Sequence, residues 1–420
     1  MSAVSTFAGA TAALRNREFR IFWIAALTSN TGSWMQSAAM PYVVFQLTGR
    51  ESGVGHNGFW QYIPIMVMGA VGGSLADRFD RRRMLIVTQL LQAGLAVALW
   101  FLVSQGLATP GRLAALAFAA GLGSGLNIPV WQAFVSQLVP RDLLVNAVTL
   151  NSTQFNSARA LGTFLAGIII SFAGASIVFA INAASFLAVL IGLSMITSKG
   201  RPGTQGDRGS VLGEFVDGVR YVRTVPGIRA ACIGIFSVAL FASPLFNFVA
   251  SVYGSKIFHL RGWRLGVVFG AGGIGSLLVA PLLLTVGQRV RRERLAVIGM
   301  SAYAVATSAV GLAPSWPLAV VGLLAFGGAY LVIASALNTS VQLLAREDMR
   351  GKAYSVYVMC LTGALPLGLL IWGEASQQFG IRSVTVAAGG VLVVVALILR
   401  FGGFLSALGD ADRASPSRSD

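Results

Sequence analysis

Gly73-Ser74-Leu75-Ala76-Asp77-Arg78-Phe79-Asp80-Arg81-Arg82-Arg83 sits between two long apolar runs, and every residue from Asp77 to Arg83 except Phe79 is charged. Charge is scarce elsewhere: 11% of the 420 residues are charged and 55% are hydrophobic, and the mean hydropathy is +0.74. Soluble domains carry about 25% charged residues. Burying such a cluster in lipid costs several kcal/mol per charge, so it must face water at a membrane surface. The apolar runs on either side then read as membrane-spanning helices, and the chain as an all-α integral membrane protein.

A hydrocarbon core of about 30 Å needs about 20 apolar residues per spanning helix. Twelve runs qualify, at 19–46, 57–76, 84–105, 111–135, 146–172, 175–197, 228–252, 263–286, 295–313, 316–344, 351–378 and 381–405. They leave only short loops and no room for a water-soluble catalytic domain. The net charge of +16 is distributed by side. Alternate loops and both termini hold 24 of the 31 Lys and Arg, the other loops hold six (Arg50, Arg112, Lys256, Arg261, Arg264 and Arg382), and Arg159 lies inside a span. Short loops rich in Lys and Arg stay cytoplasmic, so both termini are expected in the cytoplasm of a multi-pass cell-membrane protein. The basic excess is a topology signal with affinity for anionic headgroups, not a nucleic-acid footprint. The N-terminus carries no cleavable signal pattern. Cys232 and Cys360 both fall in spans, where they read as small apolar packers and supply no disulfide framework.

The longest internal polar stretch, from Ser198 to about residue 223, carries Gly200, Pro202, Gly203, Gly206 and Gly209. It divides the chain into a six-helix bundle at 1–197, a cytoplasmic linker at 198–225, a second six-helix bundle at 226–405 and a polar tail at 406–420. Leu138-Val139-Pro140-Arg141-Asp142-Leu143-Leu144-Val145-Asn146-Ala147 aligns without gaps with Leu344-Ala345-Arg346-Glu347-Asp348-Met349-Arg350-Gly351-Lys352-Ala353, an offset of 206. Arg78-Phe79-Asp80-Arg81 sits where Arg289-Val290-Arg291-Arg292 sits in the second half, at an offset of 211. Two matches at nearly one offset indicate a parallel duplication.

The opening stretch, a glycine followed by Asp-Arg at a helix end and an arginine run, resembles the loop signature of the major facilitator superfamily. Trp34-Met35-Gln36, Val44-Phe45-Gln46-Leu47-Thr48-Gly49, Ala76-Asp77-Arg78-Phe79-Asp80-Arg81-Arg82-Arg83 and Asn156-Ser157-Ala158-Arg159-Ala160-Leu161-Gly162 look like the branch that contains the enterobactin exporter and macrolide-efflux-like proteins. The resemblance implies two six-helix bundles working by alternating access around a midplane cavity, lined by the first, fourth, seventh and tenth spans. It also implies a cytoplasmic gating latch, built from Gly73, Asp77, Arg78, Arg81 and Arg82, that steadies the outward-facing state. Two departures stand out. Asp80 occupies a place where the superfamily has glycine, so the loop has to turn without it. The fifth span has Gly162-Thr163 and then Ala166-Gly167 where antiporters show a Gly-Pro pair, which weakens the inference of export.

An ionisable residue inside a span is a functional candidate. Arg159 follows Asn146 by 13 residues, about 20 Å into the bilayer at 1.5 Å per residue. It shares a helix face with Asn151 and Phe155. No acid lies in the first-half spans, so Arg159 is either a brace between helices or a cavity group facing an anion. Glu374, beside Trp372 near the outer end of the eleventh span, and Asp77 are the candidate proton carriers; the competing reading of Glu374 is a carboxylate in interfacial water. Asn30, Trp34, Gln36, Asn127, Gln132, Asn247, Asn338 and Gln342 are the uncharged cavity candidates, each of which could instead hydrogen-bond between helices. Such amides and aromatics in an apolar cavity suit a bulky amphipathic molecule. Ser243-Pro244 and Pro366 are expected kinks.

Two GxGxxG stretches, Gly53–Gly58 in a short outer loop and Gly270–Gly275 inside a span, follow no strand and read as packing or turn glycines. His56 and His259 read as lone loop histidines without metal partners, and no Walker loop or nucleophile elbow is present. The expectation is a secondary transporter, not an enzyme, needing no cofactor or metal: proton-driven efflux of an amphipathic siderophore-like or drug-like small molecule. Its partners would be that substrate, protons and the lipid bilayer, with no nucleic acid and the chain acting as a monomer. Uptake or facilitated diffusion of an organic solute is the alternative within transport. A receptor would add a signalling domain, and a membrane-embedded enzyme would cluster His, Asp or Ser in its spans.

Overall fold

A computed structural model describes residues 12–197, 211–285, 290–404 and 406–409; at 70–74, 76, 77, 145, 211, 212, 214, 250 and 284 only the backbone is described. Among the described residues the chain is helical, with no strand. The first half comprises α1 (Arg17–Thr48), α2 (Glu51–Arg78), α3 (Arg81–Ser104), α4 (Pro110–Val135), α5 (Leu144–Ala173) and α6 (Ala175–Met195). The linker contributes α7 (Val211–Thr224). The second half comprises α8 (Pro226–Phe241), α9 (Leu245–Phe248), a π-helical stretch Val249–Ile257, α10 (Trp263–Thr285), α11 (Arg292–Leu312), α12 (Trp316–Leu344), α13 (Arg350–Phe379) and α14 (Ile381–Phe401). Residues 198–210 of the linker expected at 198–225 and residues 410–420 of the tail expected at 406–420 lie outside the described residues.

Among the described residues, ten helices are long and apolar enough to cross a membrane: α3 to α6, α8 with α9 as one span, and α10 to α14. The other two runs expected from the sequence are α1 and α2, at 32 and 28 residues. Both have the length, but Thr28, Ser29, Asn30, Thr31, Ser33, Gln36 and Ser37 dilute α1. α2 also starts six residues earlier than the apolar run suggests. Gly49, at φ 64, closes α1 in the left-handed region that glycine adopts freely, and α2 begins at Glu51. The stretch 53–58, expected as a loop, is therefore the beginning of α2, and His56 is a helical residue.

The seventh span breaks where Ser243-Pro244 stands. Residues 242–244 form a turn between α8 and α9: the Val238 carbonyl collects the Ala242 and Ser243 N–H groups and the Ser243 hydroxyl, and Pro244 has no N–H to offer the Leu240 carbonyl. Pro366, also expected as a kink, is instead contained within α13 without interruption. The turn between α2 and α3 needs no glycine. Asp80 has an ordinary extended backbone (φ −61, ψ 115), and its carboxylate caps α3 by accepting from the Arg83 N–H at 2.9 Å.

The duplication recurs in the helix boundaries. α13 begins and ends 206 positions after α5, and α14 does so after α6. The single-residue connections are Gly174 at φ 84 and Gly380 at φ 79, again 206 apart. An L side chain is strained at such φ values, so both turns require glycine.

The halves pack through α2 on α13 and α5 on α10, while α1 also touches the π-helical stretch. Both crossings are glycine on glycine. A Cβ on Gly167 would lie 2.3 Å from the Gly266 Cα, and one on Gly373 would lie 3.0 Å from the Gly55 Cα. Gly266 follows Gly55 by 211 positions and Gly373 follows Gly167 by 206, so the two crossings are equivalent under the duplication. Small residues let helix backbones approach this closely in a lipid environment, where dispersion replaces the hydrophobic drive between helices. The end of the bundle containing these crossings, with the loops at 49–50, 174, 258–262 and 380, is called the short-loop face below; the other is the basic face.

On the basic face, the Thr197 N–H and hydroxyl both donate to the Glu18 carboxylate, at 2.9 and 2.6 Å, which ties the end of the first half to the start of α1. α7 docks on the second half: the Arg346 N–H donates to the Tyr221 hydroxyl at 3.0 Å and Lys352 pairs with Asp217 at 3.1 Å.

Candidate functional site

Arg159 stands midway along α5, and its guanidinium lies 5.8 Å from the centroid of the Trp34 ring of α1. That approach is set by Gly162, one turn on, where a Cβ would lie 2.4 Å from the Thr31 carbonyl oxygen and 2.8 Å from the Trp34 Cβ. The glycine of the fifth span, read without its usual proline, is thus the contact that lets α1 lie flat on α5. Phe155, on the same face of α5, meets Trp34 edge-on at 5.6 Å and remains 45% exposed. A turn earlier, Asn151 accepts from the Trp131 indole N–H of α4 at 3.3 Å. Asn30 donates to Gln154 at 3.2 Å, joining α1 to α5. α1, α4 and α5 thereby bring Asn30, Trp34, Asn151 and Arg159 into one cluster.

Opposite them, on the second half, Tyr303 of α11 and Tyr330 of α12 lie within electrostatic reach of Arg159. Tyr303 stacks on Phe326 at 4.4 Å and stands 6.0 Å from Tyr330, and Phe326 in turn meets Phe246 of α9 at 4.8 Å. The tyrosines escaped the sequence analysis because a phenol inside an apolar run reads as core; only their position across from a buried cation distinguishes them.

Other cavity candidates are placed elsewhere. Asn127 accepts from Thr88 at 2.8 Å and from Gln89 at 3.4 Å, which makes it a brace between α4 and α3. Gln36 accepts from Asn182 at 2.7 Å and ties α1 to α6. It also lines a small cleft within the first half, with Gln61, Leu99 and Leu116. On α12 the Gln342 amide donates to Asn338, its neighbour one turn back, and Gln342 is exposed. Gln132 is exposed near the basic end of α4. Asn247 lies in the short helix α9, beside the break in the seventh span.

In the gating stretch, the Arg82 guanidinium donates to the Leu193 and Ser194 carbonyls at 2.8 and 3.3 Å, satisfying the C-terminal end of α6. Arg81 donates to the Ala133 carbonyl of α4 at 3.4 Å, and Arg78 is exposed. These three bonds stay inside the first half. Gly73 and Asp77 are described by their backbone alone, within α2.

The short-loop face holds what the sequence analysis missed. Glu51, 3% exposed, accepts from Lys256 at 2.7 Å, and its backbone N–H donates to Gln377 at 3.1 Å. Glu374 pairs with His56 at 3.2 Å, both about half exposed. His56 is therefore not a lone histidine, and Glu374 sits in an ion pair at the helix end. Both pairs join the first half to the second, as does the Ser171 hydroxyl donating to the Gly262 carbonyl at 3.1 Å. A sequence offers no periodicity that links Glu51 to a lysine 205 residues away. Among the described residues no group of three or more His, Cys, Asp or Glu could hold a metal ion.

The sequence profile of the transmembrane secretion effector family, MFS_3, matches residues 8–418. The multidrug efflux pump Tap of Mycolicibacterium fortuitum is 25% identical over 401 residues, covering 93% of this chain and 96% of that one. The enterobactin exporter EntS of Escherichia coli O1:K1 / APEC is 21% identical over 392 residues, covering 91% of each. Among solved structures, the nucleoside transporter NupG superposes with a TM-score of 0.72 at 14% identity, over 93% of this chain and 99% of its own. A D-xylose–proton symporter does so with a TM-score of 0.72 at 16% identity, over 90% and 96%. Those two share the fold. A family profile that spans nearly the whole chain, on two helical halves joined at paired glycine crossings, makes this protein a multi-pass membrane transporter of the major facilitator type, belonging to the transmembrane secretion effector family.

Proposed function

We propose that this transporter exports an amphipathic small molecule from the cytoplasm by alternating access, driven by inward proton flow. The observation that carries the reading is the asymmetry of the junction between the halves. Glycine crossings and the Glu51–Lys256 and His56–Glu374 pairs join them at the short-loop face. The cluster around Arg159 and Trp34 lies in mid-span, with Phe155 exposed beside it. Closure at one end of the molecule, with the candidate cluster in mid-span, is one limb of an alternating-access cycle. The basic face, expected in the cytoplasm with both termini, is the end from which the substrate enters.

Two halves, 1–197 and 226–405, would rock about this junction with twelve spans in all, α1 and α2 included. Polar residues that keep α1 from being uniformly apolar suit a helix lining that space. The relatives named an efflux pump and an exporter favour the outward direction. Glu374 and Asp77 are the proton-coupling candidates, now joined by Glu51. In the other half-cycle the short-loop pairs separate, and Asp77, Arg78 and the neighbouring arginines latch the basic face. The chain acts as a monomer, since one copy supplies both halves of the pathway.

Everted membrane vesicles energised by an imposed pH gradient test this. Uptake of amphipathic dyes or siderophores that collapses on adding a protonophore is the expected result. Movement that ignores the gradient would make the protein a facilitator and refute proton coupling.

A further inference from the structure

We propose that the Arg159 guanidinium anchors a negatively charged group of the transported molecule, so that the substrate class is an amphipathic organic anion; this rests on the transport reading above. A guanidinium stays charged at any physiological pH and cannot escape a dry site by losing its proton. With its Nε enclosed in mid-span, it requires a counter-charge or a full set of acceptors. Among the described residues no carboxylate lies there. Glu51 and Glu374 lie at the short-loop face, engaged with Lys256 and His56. Glu18 and Glu293 stand in the first turns of α1 and α11, and Asp77 in the last turn of α2.

What surrounds Arg159 is aromatic or neutral: the face of Trp34, and the phenols of Tyr303 and Tyr330. Its Nε is buried without a hydrogen-bond partner, and so is the Gln154 Nε2 on the preceding turns of α5. Both orphans are donors, and both want an acceptor that the described residues do not supply. A buried donor left unmade is costly, and the planar guanidinium fork matches a carboxylate or a phosphate with two parallel bonds. Trp34 and Phe155 on one side and Tyr330 on the other keep aromatic surface accessible near the guanidinium, while Tyr303 is fully buried and stacks on Phe326. The site therefore selects an acidic head on an aromatic or apolar body.

The test uses three probes with one aromatic body and different charge: 2-naphthoate, 2-naphthamide and 2-naphthylmethylamine. Each is titrated calorimetrically into the full-length protein in lipid nanodiscs, with empty nanodiscs as the blank. Naphthoate should bind at least about 10-fold more tightly than the amide, the scale of one charge-assisted hydrogen bond. Arg159→Gln should bring naphthoate down to the affinity of the amide, with thermal unfolding in the nanodisc reporting that the variant is folded; Arg159→Lys should keep part of the preference. Three results overturn the proposal: no preference for the carboxylate, whether from equal binding or none; an equal loss of all three probes in Arg159→Gln; or chloride at physiological concentration excluding naphthoate, which would make this an inorganic-anion site. Binding in nanodiscs is independent of transport direction. Charge discrimination there, with no gradient-driven uptake in everted vesicles, would sink the export reading and leave the anion site standing. Vesicle uptake of a neutral dye without charge discrimination in nanodiscs would do the reverse.

Discussion

Gly167→Ala should drive the molecule out of the state described here. The new Cβ would lie 2.3 Å from the Gly266 Cα and 2.7 Å from its nitrogen, both backbone atoms that no rotamer change can move. Carbon atoms rest about 3.5–4.0 Å apart, so α5 and α10 must separate by more than an ångström at their crossing. Overpacking of this kind costs about 1–3 kcal/mol. The cost falls on the conformation in which the two glycines touch, and is relieved in one where the short-loop face opens. At about 1.4 kcal/mol per tenfold, the equilibrium should shift toward the open form by roughly 10- to 100-fold. Gly373→Ala loads the equivalent crossing, with its Cβ 3.0 Å from the Gly55 Cα, and should act in the same direction more weakly. Gly94→Ala, where nothing lies within 4 Å, is the control. Spin labels at Arg50→Cys and Arg261→Cys, exposed positions on the two halves, read the opening in a background with Cys232 and Cys360 replaced by serine. A distance distribution in folded Gly167→Ala that superposes on that of the parent would refute the crossing as a state-specific contact.

Three further outcomes are expected. Glu51→Gln should weaken the closed short-loop face by about 1 kcal/mol, a modest figure because Lys256 is half exposed and water screens the pair. A double-mutant cycle with Lys256→Gln, read by the same spin labels, should give a coupling energy; strict additivity would remove the pair from the gate. Asp80→Ala should lower thermal stability by about 1 kcal/mol through loss of the α3 cap, whereas Asp80→Asn should be nearly silent, since asparagine caps equally well. Equal losses in both would mean that the carboxylate acts by charge instead. Asp77→Asn should cut transport while the protein stays folded, and normal vesicle flux in that variant would rule the residue out of the gating stretch.

The sequence by itself determined the helical membrane class, the approximate positions of the spans, the duplication and the charge asymmetry of the loops. Each depends on residues near one another in the chain: an apolar run long enough for a bilayer, a cluster of arginines at its end, two segments that match at a fixed offset. The same 206-residue offset relates the positive-φ turns at Gly174 and Gly380. The sequence also isolated Arg159, since a lone charge in an apolar span stands out without any structure. Only the tertiary structure decided which polar residues surround it. Asn127 and Gln36 look as suitable as Asn30 in the sequence, yet they bond to α3 and α6 while Asn30 bonds to α5, the helix of Arg159, because a helix presents its faces to different neighbours and the hydropathy pattern does not say which. The same holds for the closed face. The duplication pairs Gly55 with Gly266 and Gly167 with Gly373, but the contacts run Gly55 to Gly373 and Gly167 to Gly266, across the two copies. Glu51 likewise meets Lys256 only because α2 and the end of the seventh span converge there. A repeat shows which residues are equivalent; which of them touch depends on how the two copies dock, and that is set by the shape and close packing of whole helix faces.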